Sequence, residues 1–314
     1  MNKGKSDLNR PDNKSVLITG GSGLIGRYLT SVLLENGYKV SHLSRSVNQF
    51  GKVRVFRWEP EKGILDPIVF EGVDYIVHLA GANIGEKRWT KNRKNEIINS
   101  RVDSAKLLYR IIADSNIPIK AFISASAVGY YGSLTSDRIF TENDPPSDDF
   151  LGNVCRNWEA AADLFSLSGI RVVKIRTGVV MEKSDSALSR FLYASRFGLF
   201  PILGGGKQFL PWIHPEDLSA IYLKAIIDDT MTGAYNAVSP HHINQKEFMR
   251  TLAAVLKKFF LPPPVPSVLL RIMLGEMATI ATKGSRIDPE KIIRSGFKFK
   301  FSTLDSALRN ILAG

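Results

Sequence analysis

The stretch SVLITGGSGLIGRYLTSVLL, residues 15–34, places four glycines within seven positions between an apolar run and a helical pattern. A strand has to end, the chain has to turn and a helix has to begin, all within a few residues. Gly21, Gly23 and Gly26 follow G-x-G-x-x-G, and Gly20, Gly23 and Gly26 follow G-x-x-G-x-x-G. A turn at Gly20 and Gly21 needs a backbone free of Cβ constraints. Bare main chain at Gly23 admits a pyrophosphate, and Gly26 lets the helix lie close to the strand. Amides at the helix start, through Leu24 and Ile25, then hold the phosphates with the aid of the helix dipole. A glycine-rich turn without ligand is the plainer alternative. The flanking strand and helix favour a dinucleotide site.

About twenty residues further on, an NAD site carries an acidic residue for the ribose hydroxyls. Here the second strand ends in HLSRS, which puts Ser44 and Arg45 at that place and no carboxylate. A hydroxyl and a guanidinium suit a 2′-phosphate, so NADP (as NADPH) is the expected cofactor. Otherwise Arg45 is an exposed loop charge.

Apolar runs alternate with helical patterns. Strands are expected at 16–19, 39–43, 53–58, 75–79, 121–124 and 172–175, and helices at 24–36, from the polar segment ending at Arg101 on through 105–112, and at 158–165. Strand followed by helix, repeated, predicts an α/β chain with a doubly wound parallel sheet, the Rossmann fold. After Gly178 the alternation loosens. Residues 198–218 are rich in Gly, Pro and aromatics and read as a loop lobe. A helix follows at 217–227, and the run LPPPVP at 261–266 reads as a stiff connector. Asn244 with Glu247 reads as a boxed helix start. A brief strand and then a helix are expected from Ser295 to the end. The expected division is a flexible tail at 1–14, a dinucleotide-binding domain at 15–240 and an α-rich lobe at 241–314.

The formal net charge is +12. That suits a phosphate-bearing ligand, a solvated basic helix face or a nucleic acid. No zinc-ligand spacing or RNA-recognition signature supports the last, so no nucleic-acid partner is expected. No run of apolar residues is long enough for a membrane span. The polar first residues lack a secretory core, so a cytoplasmic location is expected. Cys155 is the only cysteine. His241 and His242 are adjacent and lack metal-site spacing, so no metal is expected.

LITGGSGLIG, VHLAGANIG (77–85) and ISASAVGYYG (123–132) resemble the extended short-chain dehydrogenase/reductase superfamily. Together with WEAAA, RTGVV and FLPWIHPEDL, they resemble an atypical branch of it. That branch is labelled epimerase family protein or NAD-dependent epimerase/dehydratase, and sometimes cell-division inhibitor. Its C-terminal segment of unknown function corresponds to residues from about Val265.

The resemblance implies that Leu79, Ala80 and Gly81 lie along the cofactor. It places Arg101 where relatives have Asn, as a cation near cofactor phosphate, with Glu96 orienting Arg101 or touching a ribose. It puts Val180 at the nicotinamide ring and Trp212 and His214 on the substrate side, with Asp217 capping the next helix. His214 as a hydrogen-bonded structural residue, Glu96 as an exposed helix carboxylate and Val180 as a core valine are the alternatives. Ser126 matches the catalytic Ser/Thr. The Tyr-x-x-x-Lys pair of active members falls on Leu151 and Cys155, which can neither hold nor lower the pKa of a phenol. Tyr130 or Tyr131 as a substitute proton donor is the remaining catalytic candidate, and packing of the loop is the plainer one. Relatives often pair as homodimers.

Two functions follow. One is an NADP-dependent oxidoreductase or epimerase/dehydratase-like enzyme acting on an unidentified small carbonyl or sugar-nucleotide substrate. The other is an NADP(H)-binding regulatory or scaffold protein with little or no turnover.

Overall fold

The computed structural model describes residues 14–46, 51, 53–184 and 186–313. All of the expected tail but Lys14 therefore lies outside the described residues. Strands β1 (Ser15–Thr19), β2 (Lys39–Ser44) and β3 (Arg54–Glu59) come first, then the short β4 (Ile64–Leu65), β5 (Tyr75–His78) and β6 (Ala121–Ala127). The short β7 (Ile139–Phe140) precedes β8 (Arg171–Thr177). Three two-residue strands, β9 (Val179–Val180), β10 (Ile202–Leu203) and β11 (Trp212–Ile213), then lead to β12 (Gly233–Ala237). The eight-stranded sheet has the order β12-β8-β6-β5-β1-β2-β3-β4. All its pairings are parallel except β3 with β4.

Helices α1 (Leu24–Glu35), α2 (Lys91–Asp114) and α3 (Phe150–Asp163) are followed by α4 (Ala187–Arg196), α5 (Pro215–Ile227) and α6 (Gln245–Val255). Side chains along a strand alternate between faces. Val16 and Ile18 of β1 therefore join Leu29 and Leu33 of α1 and Ile221 and Tyr222 of α5. Leu17 joins Leu107, Leu108 and Ile112 of α2 and Phe165 on the opposite face. A third apolar cluster includes Leu188, Phe200, Trp212, Phe248, Leu252 and Leu308. Residues 241–313 thus share a core with the loop lobe. Each such side chain, fully buried, contributes about 1.5–3 kcal/mol.

Three local expectations change. The last strand of the main sheet in chain order, β12, is not among the expected ones, because Tyr235 is the one strong strand former in GAYNA. Phe297–Phe301 form no ladder, because the amides of Lys300 and Phe301 donate to the Asp217 carboxylate at 2.8 and 3.0 Å. Asp217 thus holds this segment rather than capping α5; the cap is His214, whose Nδ1 accepts from Glu216 N at 3.1 Å. The capping box between Asn244 and Glu247 at the start of α6 forms as expected. The proline run contributes Pro264 and Val265 to a two-residue edge pairing with β10.

Burial pushes His42, His78 and His214 down to about 4. The unfolded chain, with histidines near 6.5, then binds more protons than the native one between about pH 4 and 6.5. The stabilisation is complete above that window and is lost as pH falls through it. Urea unfolding between pH 7 and pH 5 is expected to show stability falling by about 1 kcal/mol per pH unit for each histidine. A flat profile across that interval would contradict neutral burial.

Candidate functional site

The chain runs outward from β1 through β2 and β3, then returns to β5 on the other side of β1. The carboxyl ends of β1 and β5 are therefore a topological switch point, where open α/β sheets bind ligands. A cavity of about 450 Å³ lies there. Gly20 and Gly23 line it from the β1 loop, Ser44 and Arg45 from the end of β2, and Leu79, Ala80 and Gly81 from the end of β5.

Each glycine has its own reason. Gly20 has φ +69°, and a Cβ there would stand 3.0 Å from Ala80 N. A Cβ on Gly26 would stand 2.5 Å from Gly21 O, so α1 could not lie so close to the loop. Gly23 is the N-cap of α1, and no side chain caps it. The first helical bond runs from Arg27 N to Gly23 O at 3.0 Å, which leaves the amides of Leu24, Ile25 and Gly26 ahead of the ladder. Leu24 and Ile25 offer these amides as N–H groups of the first turn. The Ile25 side chain packs on the core.

Glu96 also lines the cleft, but it is engaged by Arg93 rather than Arg101, at 2.7 Å. Arg93 is buried, pairs with Glu86 at 3.1 Å and donates to Asn83 O at 2.5 Å. Among the described residues its Nε is buried without a partner. Sequence reading did not single out Arg93 or Asn83. Within the basic run EKRWTKNRK only the position of α2 tells which cation turns inward.

Arg101 does not line this cleft. It runs beneath Gly81, where a Cβ would stand 2.9 Å from its Cζ, and lines a second cavity of about 260 Å³. Its Nη1 donates to Ala82 O at 3.1 Å and Ile97 O at 2.9 Å, and its guanidinium lies 4.8 Å from the Trp158 ring centre. Burial lowers its pKa to about 10. The second cavity lies beyond the ends of β6 and β8. Leu151, Cys155 and Trp158 of α3, Tyr131, Val179 and residues of the segment 279–287 wall it. Val179 lines it; Val180 packs against the core.

The catalytic candidates are held elsewhere. Ser126 is buried, and its hydroxyl donates to Glu159 Oε1 at 2.7 Å, so it does not face the cavity. Tyr131 reaches the cavity wall, but its hydroxyl donates to Asn236 Oδ1 at 2.6 Å and accepts from Arg176 Nη1 at 3.0 Å. Burial raises its pKa well above the ordinary phenol value. The Tyr130 ring lies flat on the Arg176 guanidinium, 3.4 Å away, and burial raises its pKa too. Burial pushes the Cys155 thiol up to about 12, which makes it a small core group and not a nucleophile. On the expected substrate side, Trp212 is fully buried and donates to His241 O at 3.1 Å. His214 stacks on Phe301 with ring centres 3.8 Å apart. Neither lines either cavity. Among the described residues no group of His, Cys, Asp or Glu could hold a metal ion, and no helix is long and apolar enough to cross a membrane.

A switch-point cleft floored by glycines and faced by an uncapped helix start is the architecture of Rossmann-type dinucleotide-binding proteins. Comparison with known families narrows the class. The model of the NAD dependent epimerase/dehydratase family matches residues 16–237, and the chain belongs to that family. Residues 265–311 match a domain of unknown function, DUF1731. The human epimerase family protein SDR39U1 is 34% identical over 307 residues, spanning 95% of this chain and 99% of the relative. The Bacillus subtilis epimerase family protein YfhF is 34% identical over 303 residues, spanning 95% and 98%. A crystal structure of human SDR39U1 with NADPH superposes with a TM-score of 0.85 at 31% identity, covering 96% of this chain and 99% of that one. A nucleoside-diphosphate sugar epimerase from Corynebacterium glutamicum gives 0.77 at 31% identity, covering 96% and 58%.

Proposed function

We propose that this protein binds NADP(H) in the switch-point cleft and carries out oxidoreductase or epimerase/dehydratase-type chemistry on a small carbonyl compound in the adjoining cavity. One observation carries the cofactor assignment. Ser44, Arg45 and Ser46 line the cleft at the end of β2, where an NAD site would hold a carboxylate. The relative with NADPH in its crystal structure supports the same reading.

The residues present fit the group. The amides of Leu24, Ile25 and Gly26 would meet the pyrophosphate, Arg45 the 2′-phosphate, and Gly81 to Asn83 the wall leading toward the second cavity. When bound, the nicotinamide supplies or accepts hydride at its C4. The chain's own part is to bind, orient and exclude water. Ile84, Leu151, Val154 and Trp158 give the cavity its apolar wall. Leu151 and Cys155 occupy the places of the missing Tyr and Lys, and the Tyr131 hydroxyl points its proton at Asn236. This tethering favours, as a second reading, a cofactor-binding protein with little turnover.

Calorimetry decides the first part. NADPH is expected to bind at least about tenfold more tightly than NADH, about 1.4 kcal/mol. Arg45→Ala is expected to remove most of that preference and leave NADH binding unchanged. No heat with either coenzyme overturns the assignment. NADPH oxidation with a panel of small carbonyls then separates the enzyme from the scaffold.

A further inference from the structure

The second cavity has an unusual charge inventory. Among the described residues two cations line it, Arg101 from α2 and Lys283 from the C-terminal segment, and no Asp or Glu does. Among the described residues neither side chain pairs with a carboxylate. The nitrogens of Arg101 find only the carbonyls of Ala82 and Ile97, and its Nε is buried with no partner. Arg101 is half-buried and Lys283 exposed, so a carboxylate entering the cavity would meet a partly desolvated guanidinium that has no counter-ion. Arg101 is also fixed in place. It is clamped between Gly81 and Trp158, and Gly81 leaves room for it only by lacking a Cβ.

The remaining wall is mostly apolar: Ile84, Leu151, Val154, Trp158, Leu210 and Ile280 all contribute. At about 260 Å³ the space sits just below the usual range for small-molecule sites. A polyphosphate would need more donors than two cations and would waste the apolar surface. A planar carboxylate matches a guanidinium, and an apolar body matches the rest.

Resting on the cofactor reading above, we propose that the second cavity binds a compact apolar molecule carrying one carboxylate, anchored by Arg101 and steered by Lys283. The segment matching the domain of unknown function then has a task. Through Thr279, Ile280, Lys283 and Ser285 it closes the substrate cavity and adds positive potential to it.

The test uses the full chain. NADPH is titrated first, and its binding reports on the cofactor reading alone. Straight-chain monocarboxylates of two to eight carbons and phenylacetate are then titrated by calorimetry, with and without NADPH, beside phenylacetamide as the uncharged shape match. At least one acid is expected to bind, and phenylacetamide at least about tenfold more weakly than phenylacetate. Arg101→Met is expected to abolish that difference, and Arg101→Lys to restore part of it. Lys283→Met, on the C-terminal segment, is expected to weaken the acid several-fold and serves if the Arg101 variants do not fold. The proposal is overturned if no acid in the series binds, if the amide binds as well as the acid, or if Arg101→Met and Lys283→Met both leave acid binding unchanged.

Discussion

Glu159→Leu is expected to lower the free energy of unfolding by about 3–5 kcal/mol, the cost of leaving one member of a buried ion pair without the other. Glu159 Oε1 accepts from Arg176 Nε at 2.8 Å and Oε2 from Nη2 at 2.9 Å, a two-point contact. Glu159 is 5% exposed and Arg176 3%, so water cannot replace the lost partner. Ser126 loses its acceptor as well. The Arg176 guanidinium would keep Tyr131 Oη at 3.0 Å and Glu142 O at 3.3 Å, neither of which is a full counter-charge. Lys174, 4.0 Å from Glu159, would also lose an attractive neighbour but keeps Asp163. The double variant Glu159→Leu with Arg176→Met is expected to recover most of the loss, since an apolar pair of similar volume often does as well as a buried ion pair. Urea unfolding of the two proteins measures both effects. A single-variant loss under about 1 kcal/mol would mean that the pair is solvated after all.

This network shows why part of the site was legible in the sequence and part was not. The β1 loop is local. Two periodicities meet at Gly20–Gly26, and the structure places the turn, the helix start and the cleft there. The Asn244 box is local in the same sense. Ser126 matched a catalytic position by motif, yet its hydroxyl is taken by a carboxylate 33 residues further on. The Tyr131 hydroxyl is taken by Asn236, 105 residues away. No window of sequence contains either partner. Arg101 illustrates a different limit. It lies on a 24-residue helix crossing behind the β5 loop, and a small rotation decides whether it faces the cleft or the cavity. Arg93, two turns earlier on α2, is the one that faces the cleft. The missed strand β12 has a third cause: parallel pairing with β8 makes GAYNA a strand despite its composition.

Gly23→Val is expected to weaken NADPH binding at least about a hundredfold, about 2.7 kcal/mol, while the protein stays folded. The separation rests on backbone geometry. Gly23 has φ −71° and ψ 174°, which a side-chain-bearing residue adopts without strain. A Cβ there would meet only Gly20 O at 3.2 Å, and a β-branched N-cap costs the helix about 1 kcal/mol. Its methyl groups, however, would stand where a pyrophosphate has to reach the amides of Leu24 to Gly26. Gly20→Ala makes the contrast, since φ +69° and the contact with Ala80 N strain the fold before any ligand arrives. Calorimetry with NADPH, set beside thermal unfolding of the free protein, reads the two effects apart. Gly23→Val should lose NADPH and NADH alike, because both bring the same pyrophosphate, whereas Arg45→Ala should cost NADPH alone. A Gly23→Val protein that binds NADPH within fivefold of wild type would place the phosphates away from the helix start, and the assignment of Arg45 to the 2′-phosphate would lose its frame.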